Sequence, residues 1–60
     1  MKYIVDNNSR AKRITQQIIA SEDLDLTVTE VTDALGDDMI ELMGDKESIE
    51  TFQDVFRMVY

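Results

Sequence analysis

Three features of the sequence predict a two-layer α+β domain with the element order β-α-β-β-α. Apolar Leu24, Leu26 and Val28 alternate with polar Asp25, Thr27 and Thr29, the period of a half-buried strand, and the mostly apolar run Met39 to Met43 supplies a return strand beyond a turn. Apolar residues instead recur at helical spacing through Ala11, Ile14, Ile18 and Ile19, and through Ile49, Phe52, Val55, Phe56 and Val59. The third feature is the length of 60 residues, with 43% hydrophobic and 32% charged side chains, which predicts one domain over residues 1–60.

The first element is a short strand at Tyr3, Ile4 and Val5. Asp6-Asn7-Asn8-Ser9 follows with turn and N-cap chemistry, so a helix is expected to start there. That helix turns Ala11, Ile14, Ile18 and Ile19 to the core and Arg10, Arg13, Gln16 and Gln17 to the opposite side. Ser21-Glu22-Asp23 ends it. The second strand is expected over Leu24 to Thr29, where the alternation slips at Glu30-Val31 and predicts a bulge or the strand end. Asp33-Ala34-Leu35-Gly36-Asp37 supplies a hairpin loop longer than two residues. The return strand, Met39 to Met43, places Ile40 and Leu42 on one face and Met39, Glu41 and Met43 on the other. Gly44-Asp45 closes it, with Asp45 as N-cap of the last helix and Glu47 favourably placed in that helix's first turn.

Connection rules join the first two strands by a right-handed crossover and slot the third between them. The expected sheet is three-stranded and antiparallel, of order 1-3-2, with both helices on one face. This arrangement is similar to a ferredoxin-like fold lacking its last strand, a likeness of topology that assigns no function. It predicts an unpaired edge on the first strand and a helix-free sheet face carrying Met39, Met43, Thr27, Thr29 and one of Tyr3 or Ile4. Exposed edges recruit further strands, and methionines pack adaptably against partners. Self-association through Tyr3, Ile4, Val5, Met39 and Met43, giving a homodimer, is therefore expected. Oligomerisation also suits a chain of this size that lacks a disulfide staple.

Without Cys or His there is no disulfide framework, no Cys/His zinc site and no imidazole or thiolate nucleophile chemistry. Ser9, Ser21 and Ser48 have no His and no convincing Lys partner to activate them, and a thin domain offers poor shelter for a carboxylate pair acting as acid and base. The chain is expected not to be an enzyme and to need no cofactor. Asp23-x-Asp25 and Asp37-Asp38-x-x-Glu41 do not match the EF-hand pattern, so no metal site is assigned. The opening Met1-Lys2-Tyr3-Ile4-Val5-Asp6 is neither a signal peptide nor a span, which predicts a cytoplasmic, non-membrane protein.

The charge is unevenly distributed. Residues 1–20 carry Lys2, Arg10, Lys12 and Arg13 against Asp6, a net +3, whereas residues 21–60 carry Lys46 and Arg57 against twelve acids, a net −10. Three of the cations fall in the first turns of helix 1, where they oppose its dipole. Pairing with the protein's own acids would explain them. So would an anion site at Asn8, Arg10 and Arg13, where helix amides could hold a phosphate. The acids Asp33, Asp37, Asp38, Glu41, Asp45, Glu47 and Glu50 form a candidate face for a basic partner protein. The −10 repels a polyanion and makes nucleic acid an improbable ligand.

The leading functional expectation is a small acidic protein-interaction module that binds and modulates or inhibits a larger protein. In size, charge and absence of a chemical motif it is similar to inhibitor and adaptor proteins of phages and mobile elements, which act on host defence or nucleic-acid-processing machinery. The rival expectation is a phosphate- or small-anion-sensing domain built on the start of helix 1. A weaker one is an RNA-contacting protein using Arg10 to Arg13.

Overall fold

The computed structural model describes residues 1–60 as β1 (Lys2–Asp6), α1 (Ser9–Ser21), β2 (Thr27–Thr32), β3 (Asp38–Met43) and α2 (Lys46–Val59). The sheet order is β1-β3-β2, with β3 antiparallel to both neighbours, as the sequence predicts. Residues paired across strands share a face. The registers Tyr3↔Leu42 and Val5↔Ile40, with Val28↔Leu42 and Glu30↔Ile40, therefore place these six side chains on one face. The core consists of Val5, Ile40 and Leu42 from this face, Ile18 from α1, and Ile49 and Phe52 from α2. Both helices thus cover the same side of the sheet. Leu42, Ile49 and Phe52 are completely shielded from solvent.

Packing carries α1 more than propensity does, because Ile14, Thr15, Ile18 and Ile19 are β-branched. Its buried side chains are Ala11, Thr15 and Ile18, while Ile14 and Ile19 are half-buried. Asn8 is the N-cap, its Oδ1 accepting from the Ala11 amide at 2.8 Å. At the other end Asp23 takes a left-handed backbone (φ 51°), and the Leu24 amide donates back to the Ile19 carbonyl at 3.1 Å. This is the six-to-one bond of a Schellman stop, and it brings Leu24 back toward Ile19.

The second strand departs from the sequence expectation at both ends. Leu24 and Leu26 lie before the ladder, which begins at Thr27 opposite Met43, the last residue of β3. Both leucines nevertheless pack against the core. Leu26 rests so close to Gly44 that a Cβ there would stand 2.5 Å from its Cδ2. Their alternation records apolar burial in the connection rather than pairing. Nor is there a bulge or an end at Glu30-Val31. The register runs one to one through Thr32↔Asp38, with Val31 opposite Met39. The alternation breaks because a glutamate occupies a helix-face position, for the reason given below.

The hairpin loop is built by Asp33, whose Oδ1 accepts from the amides of Leu35 and Asp37, both at 2.9 Å. Gly36 donates its amide to the Asp33 carbonyl and sits at φ +85°, the conformation that favours glycine. Asp45 caps α2, accepting from the amide of Ser48 at 3.1 Å and its hydroxyl at 2.8 Å. Those bonds stabilise the ionised form and hold its carboxyl below the ordinary aspartate range. No helix is long and apolar enough to cross a membrane.

Candidate protein-interaction site

The cations at the start of α1 find two different partners. Lys12 Nζ lies 3.3 Å from Glu30 Oε1, and the same oxygen accepts from Asn7 Nδ2 at 2.8 Å. This is why Glu30 breaks the apolar alternation of β2: from the helix face it reaches the β1–α1 turn and the first turns of α1. The hydrogen bonds from Asn7 and Lys12, reinforced by the Lys12 charge, hold its carboxyl below the ordinary glutamate range. Arg10 reaches α2 instead. Its guanidinium donates to the Tyr60 carbonyl at 2.6 Å and stacks over the Tyr60 ring at 4.8 Å. A residue unfavourable to its own helix dipole is thereby well placed at the negative end of the other helix.

These contacts engage most of the expected anion site. Asn8 Oδ1 is taken by the Ala11 amide, Asn8 Nδ2 donates to the Tyr60 hydroxyl at 3.2 Å, and Arg10 is held by Tyr60. Arg13 makes no ion pair within the chain.

The seven acids expected to share a face divide between the two ends of β3. Asp33, Asp37 and Asp38 stand at the hairpin end, while Asp45, Glu47 and Glu50 stand at the start of α2, beyond the other end of the strand. Glu41 faces the helix-free side and pairs with Lys2 at 3.8 Å; Glu50 pairs with Lys46 at 3.8 Å. Asp38 and Glu41 therefore lie on opposite faces of the sheet, and no set of three potential ligands is placed to share a metal ion.

The hairpin end is the more concentrated of the two groups. There Asp6 joins Asp33, Asp37 and Asp38 around Asn7 and Asn8, lining an open concavity of about 490 Å³ with Met39 as its one apolar wall. The Asn7 amide donates to the Asp38 carbonyl at 3.2 Å, which draws the end of β1 against the start of β3 and adds Asp6 to the group. None of these four aspartates forms an ion pair within the chain. The sequence alone places Asp6 in the turn after the first strand and as the counter-charge of the basic first third, not with the acids of the hairpin. The signal that could have placed it is the 1-3 strand order, which sets the end of β1 beside the start of β3.

The five residues expected to mediate self-association split across the sheet. Ile4, Met39 and Met43 are on the helix-free face, where Ile4 and Met43 are 43% and 47% exposed. Tyr3 and Val5 point the other way. Val5 belongs to the core and reaches the surface only as part of a groove wall, and Tyr3 is half-buried with its ring packed edgewise against Phe52, centroids 6.2 Å apart. The row continues through Phe56, 5.4 Å from Phe52, to Tyr60, 4.9 Å further on. An apolar groove of about 230 Å³ runs along β1, with Tyr3, Val5, Ala11, Phe56 and Tyr60 in its walls.

No protein-family model matches the chain, and no curated protein or solved structure does so either.

Proposed function

We propose that this chain is a small protein-interaction module that binds a basic surface of a larger protein and modulates or inhibits it, using the carboxylates at the hairpin end. The observation that supports this reading most directly is the gathering of Asp6, Asp33, Asp37 and Asp38 around one concavity with no internal cation to neutralise them. The groups are held rather than mobile in their backbone. Asp33 organises the loop through two amide bonds, and the β1–β3 ladder fixes Asp6 and Asp38. Preorganised like charge that attracts a cationic surface raises association rate and selects against acidic partners. A rim of this kind accepts Lys or Arg side chains without requiring a deep cleft.

The test is affinity capture from the native host with the wild type and with the Asp37→Lys/Asp38→Lys double variant. The expected result is a basic protein retained by the wild type, released by moderate salt and not retained by the double variant. Equal capture by both would overturn the reading. A phosphate-dependent rise in melting temperature that Arg10→Ala abolishes would favour the anion-sensing alternative instead.

A further inference from the structure

β1 is an edge strand with a defined set of unpaired backbone groups. Met1 and Gly44 exchange two hydrogen bonds, of 2.7 and 3.0 Å, at one end of the β1–β3 ladder, and the Asn7 amide donates to Asp38 at the other. In an antiparallel pair the residues bonded to the partner alternate. Tyr3 and Val5 therefore bond β3, while the amides and carbonyls of Lys2, Ile4 and Asp6 point away from it, at three exposed positions. No strand within these 60 residues pairs with that edge.

We infer that the β1 edge is a docking surface for a second copy of this chain, paired antiparallel about a two-fold axis at Ile4. In that register Lys2 faces Asp6 of the other copy, Ile4 faces its counterpart, and Asp6 faces the other Lys2. All three pairs use the outward backbone groups, so each exchanges two hydrogen bonds. Both flanking pairs oppose unlike charges on one face. Shifting the register by two residues sets Lys2 or Asp6 against Ile4 and loses both charge pairs. Shifting it by one sets outward groups against groups already bonded to β3. On the helix side Tyr3 meets the other copy's Val5 position, and the groove beside Phe56 and Tyr60 continues across the axis. The product is one six-stranded antiparallel sheet with isologous contacts.

The other edge of the sheet argues the same point in reverse. The Asp33 amide donates to the Asp37 carbonyl, so by the same alternation Val28, Glu30 and Thr32 of β2 direct their backbone groups outward. The matching two-fold there is centred on Glu30 and opposes two like carboxylates. One edge is self-complementary, whereas the other, whose central Glu30 is already engaged by Lys12 and Asn7 of its own chain, gains no charge pair, which favours association through β1 into a single closed dimer.

Light-scattering mass of the 60-residue chain, with circular dichroism confirming that each variant is folded, tests the inference. The wild type is expected to be a dimer. Lys2→Asp alone and Asp6→Lys alone each oppose like charges and should weaken dimerisation at least tenfold. Two rescues are specific to this register. The Lys2→Asp/Asp6→Lys double variant should dimerise again, and an equimolar mixture of the two single variants should form a heterodimer, since each then meets opposite charges. A wild type that is monomeric at millimolar concentration overturns the inference. So does a dimer indifferent to both single variants, the outcome expected of stacking through Met39 and Met43. Failure of both rescues overturns it as well. Asp6 also lines the acidic concavity, but the two readings fail separately: Lys2→Asp lies outside the concavity and tests only the β1 edge, whereas Asp37→Lys/Asp38→Lys alters the concavity and leaves that edge intact.

Discussion

Thr15 is a side chain whose chemistry and position disagree. It is 1% exposed among the core-facing residues of α1, and its hydroxyl has no hydrogen-bond partner. A buried unpaired polar group costs about 1–3 kcal/mol, whereas an apolar group of the same shape does not. Thr15→Val is therefore expected to raise stability by about 1 kcal/mol, or about 4–8 °C in melting temperature, read by thermal denaturation. Glu30 makes the opposite case, an exposed acid with two partners. Its pKa is depressed in the folded protein, so its contribution is fully present above the ordinary glutamate range and is lost as pH falls through the folded-state value. The melting temperature of the wild type should accordingly exceed that of Glu30→Gln by most near neutrality, and the difference should shrink on acidification. A difference independent of pH would contradict the role given to its charge. Neither residue was legible in the sequence. Thr15 lies on the buried stripe but is polar, so the apolar spacing passes over it, and the charge on Glu30 read as a break in β2.

At the scale of elements, Tyr60 couples the two helices. It receives Arg10 on its ring and its carbonyl and Asn8 on its hydroxyl, joining the first turn of α1 to the last of α2. Tyr60→Ala is expected to accelerate amide hydrogen exchange in both of these turns while leaving Ile40 and Leu42 protected, because helix ends open locally at low free energy. Uniform acceleration across the chain would contradict a local clasp. Element types and order were readable from periodicity and caps. Asn8, Asp45 and the Asp33–Asp37 loop act as their chemistry suggests. The limits of β2 were not readable, because Leu24 and Leu26 are half-buried against the core from the connection ahead of the strand, Leu26 beside Gly44, rather than by pairing. The basic start of α1 had the same difficulty: its explanation lies at the far end of α2, 50 residues from Arg10 in sequence.

For the whole molecule the net charge of −7 resolves into an arrangement. Three of the four cations of the first third find partners within the chain, Lys2 in Glu41, Lys12 in Glu30 and Arg10 in Tyr60, while the four aspartates at the hairpin end form no ion pair within the chain. The candidate acidic surface was legible as composition but not as geometry. The linear pattern merged acids that β3 separates and omitted Asp6, which strand order brings in. The proposed partner binding rests on that localised charge, so its signature is electrostatic screening over a Debye length of roughly 10 Å at 0.1 M salt. The most direct measurement is the salt dependence of the dissociation constant for the captured basic partner, wild type beside Asp37→Lys/Asp38→Lys. The account predicts that wild-type affinity falls steeply with added salt and that the double variant binds weakly with a much flatter dependence. An affinity indifferent to salt, or a double variant that matches the wild type throughout, would contradict it.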